Sequence, residues 1–141
     1  GDRLDTDILG AQAAGMDSAW VLTGVDGFAS LARSTATPTY AVPDLRGLLT
    51  PPVSIARTGW SWGDGTRWVR VRMAGGSVED VAMQGFSDPR EPSQRSVLVA
   101  VCARMVAELR STGEIAPSAL VELGRRLDRV ARDTSTVPDP Q

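Results

Sequence analysis

Three aspartates, Asp2, Asp5 and Asp7, lie within the first seven residues of the chain. Carboxylate oxygens suit Mg²⁺, which needs only one or two of them from a protein when waters and a substrate phosphate complete its shell. Without a cation, carboxylates this close together repel one another. Acids are also common in first helical turns, where the helix dipole favours negative charge. The pattern alone therefore leaves two interpretations open, a magnesium-binding loop and an acidic helix start.

The absence of certain residue types limits the chemistry further. The chain has no lysine, histidine or asparagine, and all its basic residues are arginine, a bias typical of GC-rich genomes such as those of actinobacteria. No side chain can therefore act as a Schiff-base lysine, a histidine base or a histidine metal ligand. The single cysteine, Cys102, lies in an apolar run, and we expect a buried structural thiol rather than a nucleophile.

Short helices and short apolar strands alternate over residues 1–50, which indicates an α/β fold with a doubly wound parallel sheet. Gly15 is expected to end the first helix, and Asp26 is expected to cap the second. The nearly continuous apolar strands suit a sheet that is buried on both faces. The expected elements are helices over 5–14, 26–33 and 43–49 and strands over 18–23 and 40–42.

Pro51 and Pro52 mark a change in the sequence, because neither can continue a helix, and we place a boundary there. Residues 51–133 are expected to form a small α+β extension, in which an Asp-Gly turn joins two alternating segments into a hairpin. Residues 134–141 are proline-rich and are expected to be disordered. Two helices are expected over 93–110 and 117–132, with a core of Leu98, Val101, Met105, Leu120, Leu123 and Leu127.

Several aromatic and arginine side chains of the extension could bind a ligand, yet each set has a plainer explanation. Tryptophans on a hairpin usually form its packing surface rather than a base-stacking platform. Arginines interleaved with acids, or on the polar side of a helix, usually form a solvated surface rather than a phosphate site. The sets are Trp60, Trp62 and Trp68; Arg57, Arg67, Arg70 and Arg72; and Arg125, Arg126, Arg129 and Arg132.

The opening Gly-Asp-Arg-Leu-Asp-Thr-Asp-Ile-Leu-Gly-Ala resembles the fourth motif of haloacid dehalogenase-type phosphatases. The likeness is to the branch that contains nucleotide, phosphoglycolate and glycerol-3-phosphate phosphatases. It implies the C-terminal part of a Rossmann-like core, and hydrolysis of a small phosphomonoester with Mg²⁺ as the cofactor. The segments that extend the resemblance over residues 1–50 are 14–16, 21–25, 38–40, 44–45 and 48–49.

The resemblance also implies a role for each residue of the motif. Asp2 matches the aspartate that coordinates Mg²⁺ directly, and Asp7 matches the one that supports the metal through its water shell. Gly1 and Arg3 would support the loop, and Asp5 would serve first as a helix-start acid. No catalytic residue and no further cofactor-binding residue is expected in this chain. The family's nucleophile lies on an N-terminal Asp-x-Asp motif, and its lysine has no counterpart here.

On this interpretation the chain is a fragment that cannot catalyse by itself. Its partners would be a small phosphorylated metabolite, such as glycerol 3-phosphate or phosphoglycolate, and the missing N-terminal core and cap. The rival interpretation is a non-catalytic interaction or structural module. A net charge of −2 recruits neither nucleic acid nor an anionic membrane. With no signal segment or membrane span in the pattern, a cytoplasmic protein is expected, and self-association is left open.

One loop of the extension partly resembles the pyrophosphate-binding loop of GNAT-type acetyltransferases. The run Arg-Met-Ala-Gly-Gly-Ser, residues 72–77, follows an expected strand and precedes a segment that is expected to start a helix. Such a loop binds coenzyme A through backbone amides. Ser77 stands where that pattern has glycine or alanine. We therefore expect a degenerate acetyltransferase-like or structural module that does not bind acetyl-CoA.

Overall fold

Two short parallel strands form the sheet of the N-terminal part. The computed structural model describes residues 2–22 and 26–133. Strand β1 (Ala19–Val21) pairs in parallel with β2 (Tyr40–Val42). A parallel pair needs a crossover between its strands, and the helix α2 (Phe28–Arg33) lies in it. The predicted α/β class is confirmed.

The helical segments around this sheet lie close to their predicted positions. A π-helical turn (Leu4–Ile8) continues into α1 (Leu9–Ala13). Gly15 follows with a φ of 69°, the left-handed conformation predicted for the residue that ends this helix. After β2, the Asp44 side chain accepts a hydrogen bond from the backbone and begins a 3-10 helix (Leu45–Leu49). This turn corresponds to the helix predicted over 43–49.

A four-stranded antiparallel meander forms the first half of the extension. Its strands pair in sequence order, each with the next along the chain. The predicted hairpin is confirmed, because the Asp64-Gly65 turn joins the second strand to the third. Val69 and Val71 are buried on one face of the third strand, so Trp68 lies on the other. The strands are β3 (Ala56–Thr58), β4 (Ser61–Gly63), β5 (Trp68–Ala74) and β6 (Ser77–Gln84).

Two helices complete the extension. Helix α3 (Pro92–Thr112) begins where the Glu91 carboxylate accepts hydrogen bonds from the first turn, and it ends at Gly113. Helix α4 (Pro117–Asp133) starts at the proline predicted for its first turn. No helix among residues 2–22 and 26–133 is both long and apolar enough to cross a membrane. The predicted core residues are all buried, together with a hairpin tryptophan: Leu98, Val101, Met105, Leu120, Leu123, Leu127 and Trp62.

One hydrophobic core runs through both parts of the chain. Helix α4 packs along α2, and α3 contacts both α2 and β2. Trp20 and Phe28 meet edge to face, with ring centroids 5.7 Å apart, in the same cluster as Leu123 and Leu127 of α4. A unit as small as the extension is marginally stable by itself. It shares its core with residues 1–50, as its size predicts.

The connection between β5 and β6 differs from the prediction. Gly75 and Gly76 have φ values of 59° and 80°, and the chain turns straight back into β6 rather than starting a helix. Two consecutive residues with positive φ form the tight turn whose twist matches antiparallel strands. Val78 and Val81 are spaced as on one face of a helix. Pairing with β5 along the whole of β6 decides the outcome instead, so the predicted helix is wrong.

Candidate functional site

The aspartates of the opening motif lie on the turn that leads into the first helix. Asp5 and Asp7 are exposed in the first turn, and Asp2 is half-buried just before it. Arg3 donates from Nε to Asp5 Oδ1 and from Nη2 to Asp5 Oδ2, both at 3.2 Å. This pairing holds the pKa of Asp5 below its ordinary value and raises that of Arg3. The Asp5 carboxylate therefore pairs with the neighbouring arginine.

Asp7 closes the loop that carries Asp2. Its Oδ2 accepts a hydrogen bond from Arg3 N at 3.3 Å, while its own backbone N–H donates to Arg3 O at 3.1 Å. The side chain and the backbone of Asp7 thus both bind Arg3, which fixes the separation of these two residues in the loop. Ile8 N also donates to Arg3 O, and the Ile8 side chain is buried in the core. The loop is anchored at its C-terminal side, with the Asp7 carboxylate at its surface.

Asp26 has a different position from the one predicted for it. Helix α2 begins at Phe28 with Gly27 before it, so Asp26 lies too early to cap the helix, and that prediction is wrong. Its Oδ2 instead accepts a hydrogen bond from Leu4 N at 2.8 Å, inside the Asp2–Asp7 loop. The charges of Asp5, Asp26 and Asp2 together raise the pKa of Arg3, with Asp5 as the largest cause. Sequence reasoning missed this contact.

The position of Asp26 after a parallel strand was the signal that could have indicated it. Asp26 follows β1, and the loops that follow the strands of a parallel sheet gather at one edge, where such folds bind their ligands. The opening motif lies at that edge too, since Leu4 N and Asp26 are hydrogen-bonded. Two separate stretches of sequence therefore bring carboxylates to one loop cluster.

The donor set of this cluster fits a hard divalent cation in kind. Its aspartates offer carboxylate oxygens, the ligands that Mg²⁺ prefers, and this ion takes only one or two carboxylates from a protein. Within the described ranges 2–22 and 26–133, no group of three or more histidine, cysteine, aspartate or glutamate side chains is arranged to hold a metal. Asp2 and Asp7 offer carboxylates of the kind that Mg²⁺ takes, and the remaining ligands would come from water, a phosphate or other protein groups.

The tryptophans of the extension pack against an arginine. Trp62 is fully buried, and its ring centroid lies 6.3 Å from that of Trp60. The Arg57 guanidinium lies over both rings, 4.5 Å from the Trp62 centroid and 5.2 Å from the Trp60 centroid. Arg57 also donates to both carboxylate oxygens of Glu114, at 2.6 and 2.8 Å. This surface is occupied by the protein's own side chains, which favours the packing interpretation over ligand stacking.

The other arginine sets have partners or face solvent. Arg67 pairs with Asp64 at 3.5 Å, and Arg125 and Arg126 pair with Glu122. The Arg67–Asp64 pair is half-buried beside the hairpin turn, whereas the pairs with Glu122 lie on the surface of α4, where such pairs contribute little to stability. The remaining members of these sets are exposed on β5 and α4: Arg70, Arg72, Arg129 and Arg132.

The loop that resembles an acetyltransferase motif has no geometry for a pyrophosphate. Such a site needs backbone N–H groups at the start of a helix. Residues 72–77 instead form the β5–β6 hairpin, whose turn leads into another strand. The aspartate loop is thus the better candidate for a functional site.

A known family model covers the part of the chain that carries this loop. Residues 1–48 match the family model described as HAD-hydrolase-like. The chain is also 40% identical over 114 residues to the D-glycerol 3-phosphate phosphatase of Mycobacterium tuberculosis (strain ATCC 25618 / H37Rv). That match covers 77% of this chain and 31% of the relative, so the chain spans about a third of the relative's length. No solved structure matches the chain. Residues 1–48 are therefore a segment of the HAD-hydrolase-like type.

Proposed function

We propose that the intact protein is a Mg²⁺-dependent phosphatase for a small phosphomonoester, such as glycerol 3-phosphate or phosphoglycolate. This chain would contribute Asp2 and Asp7 to the metal site. The observation that carries the proposal is the anchored loop itself, in which Asp7 and Asp26 bind the consecutive backbone amides of Arg3 and Leu4 at the start of the turn. The phosphatase relative, named for D-glycerol 3-phosphate, supports the substrate class.

Each residue of the loop has a distinct role in this proposal. The Asp2 carboxylate would bind Mg²⁺ directly, and the Asp7 carboxylate would hold the metal's water shell while it keeps the loop closed through Arg3 N. The ion, when bound, would offset negative charge on the phosphoryl group. Arg3 neutralises Asp5 and lies among the acids, which reduces repulsion before the metal arrives. Gly1 lies outside the described residues.

The reaction needs groups that this chain does not supply. Phosphoryl transfer in this family uses an aspartate nucleophile and a lysine, and the chain contains no lysine. We therefore expect the chain, purified by itself, to release no phosphate from glycerol 3-phosphate above the rate without enzyme. The full-length protein should release it with Mg²⁺ and lose that activity with EDTA. Turnover by the chain alone would contradict this part of the proposal.

The assignment of the metal ligand is tested by two substitutions in the full-length protein. Asp2→Asn should lower kcat/KM on the order of 100-fold or more, because metal charge stabilisation is worth several kcal/mol. Asp5→Asn should change it by less than about threefold, because it removes only an exposed ion pair. Steady-state kinetics at several Mg²⁺ concentrations gives both numbers. Equal losses at Asp2 and Asp5 would show that the motif is mapped wrongly.

For residues 51–133 we propose a structural role. The specific observation is the continuous core, in which α3 and α4 cover α2 and β2. The hairpin turn at Gly75-Gly76 offers no cofactor loop, and the Arg57–Trp62 contact fills the aromatic surface. The extension therefore acts on the phosphatase part through packing rather than through chemistry of its own.

A further inference from the structure

The carboxylate of Asp128 caps a helix that lies one hundred residues away in sequence. Asp128 Oδ1 accepts a hydrogen bond from Phe28 N at 2.6 Å, and Oδ2 accepts one from Ala29 N at 3.2 Å. These are orphan N–H groups of the first turn of α2. The residue at the N-cap position, Gly27, has no side chain that could bind them. Asp128 therefore takes the place of a local cap.

The close contact between α2 and α4 leaves no room for a Cβ atom at either of two glycines. A Cβ atom on Gly27 would meet the Asp128 carboxylate itself. A Cβ on Gly124, one helical turn before Asp128 on α4, would lie 2.6 Å from Ala29 Cα. Glycine at both positions lets α4 press directly on the start of α2. The position of Asp128 thus fixes the position of the segment that enters α2.

That segment reaches the candidate metal loop in one further step. Asp26, next to Gly27, accepts the hydrogen bond from Leu4 N at 2.8 Å. Leu4 is 2% exposed and lies between Asp2 and Asp7, so its amide can shift only together with the loop. A continuous path of short contacts therefore runs from Asp128 through the first turn of α2 and Asp26 to the loop.

From this path we infer that Asp128 is a positioning residue for the metal loop, so that the extension sets the affinity of the site for Mg²⁺. The inference rests on the proposed function. Asp128 does not touch the ion or the substrate. Its carboxylate binds the first turn of α2 and so fixes the position of the neighbouring Asp26. Asp26 in turn binds the backbone between Asp2 and Asp7. Loss of the cap would let Asp26 move and would loosen the loop that Mg²⁺ must order.

The test uses the full-length protein with Asp128→Ala, Asp128→Asn and the control Glu122→Gln. Glu122 lies on the same helix, and its carboxylate pairs with Arg125 and Arg126 on the outer surface. Asp128→Ala should raise the Mg²⁺ concentration for half-maximal activity by roughly three- to tenfold, in line with the loss of a helix cap. Asp128→Asn keeps one acceptor oxygen and should lie between Ala and wild type. Glu122→Gln should leave the value unchanged.

A second readout does not depend on activity. Mg²⁺ titration followed by calorimetry, at a temperature well below the unfolding midpoint of each variant, should show the same order of dissociation constants. If Asp128→Ala does not fold, Asp128→Asn decides the matter by the same two measurements. A lowered Tm with unchanged Mg²⁺ affinity would overturn the inference and leave Asp128 a purely structural residue. A wild-type protein that binds Mg²⁺ but hydrolyses no phosphomonoester would overturn the proposed function, while the dissociation constants would still test Asp128.

Discussion

Asp128 and Arg110 bind opposite ends of the same helix, α2, and they carry opposite charges. The Asp128 carboxylate accepts from Phe28 N at its start, and the Arg110 guanidinium donates to Leu31 O at 2.8 Å and Ser34 O at 2.7 Å at its end. Each charge opposes the partial charge of the helix end that it contacts. A six-residue helix is too short to be stable by itself in water, so these contacts and its buried face hold it.

The first prediction concerns the arginine of this pair. Arg110→Ala should lower the free energy of unfolding by about 1–3 kcal/mol, because two backbone carbonyls and the Thr37 hydroxyl lose a charged donor. Urea denaturation of the chain measures the change. Arg104→Ala is the matched control, since Arg104 is exposed on the same helix, and it should change stability by less than about 0.5 kcal/mol. Similar losses in both variants would contradict the prediction.

The second prediction compares two helical glycines. Gly124→Ala should lower the free energy of unfolding by about 1–3 kcal/mol, because its Cβ would lie 2.6 Å from Ala29 Cα between two packed helices. Gly10→Ala should raise it by up to about 1 kcal/mol, since nothing packed against α1 lies within 4 Å of that Cβ and alanine favours a helix. Thermal unfolding of the two variants checks the opposite signs. Stabilisation by Gly124→Ala would show that α2 and α4 are not in close contact.

The third prediction is a pH dependence. The Arg57 guanidinium holds the pKa of Glu114 below its ordinary value. Such a carboxyl contributes stability that is present above its unfolded pKa and is lost as the pH falls through the lower folded pKa. Glu114→Gln should therefore lower Tm at pH 7, and the gap to wild type should shrink below about pH 4.

Thermal unfolding between pH 7 and pH 3 measures this gap. Glu79→Gln, at an exposed position of β6, should give a small gap at every pH. A Glu114→Gln gap that stays constant across the series would mean that the Arg57–Glu114 pair contributes nothing through its charge.

The fourth prediction addresses the loop that resembles an acetyltransferase motif. Isothermal titration of the chain with acetyl-CoA should give no heat of binding, because Gly75 and Gly76 form a hairpin turn rather than a helix N-terminus. Gly75→Val should lower Tm instead, since a β-branched residue resists a positive φ. Micromolar binding of acetyl-CoA that Gly75→Val abolishes would make this turn a cofactor site.

Local patterns predicted most of the elements because the physics that forms them is local. The apolar stripes of α3 and α4 predicted Leu98, Met105 and Leu123 as core, and all three are fully buried. The Asp-Gly turn predicted the β4–β5 hairpin. Strand β6 was not predicted, because only pairing with β5 distinguishes its valine spacing from that of a helix.

The site was predictable in its acids but not in their connections. The motif placed Asp2 and Asp7 on a helix-start loop, and the structure has the π-helical turn there. Asp26 was expected to cap α2 because the sequence predicted that this helix begins there, whereas it begins at Phe28. Asp128 displaces it by reaching the same N–H groups from a distance of 100 residues, and no local pattern reports a contact of that range.

The burial of Cys102 gives the protein a reporter of its own opening. This sulfhydryl is 1% exposed in the core that α3 shares with both parts of the chain, and burial raises its pKa well above the ordinary value. A thiol-reactive reagent needs an accessible thiolate, so labelling can proceed only while α3 is detached. Since the chain has one cysteine, the labelling rate follows a single event without engineering. When reclosing is fast, that rate gives the free energy of the opening that exposes the core around α3.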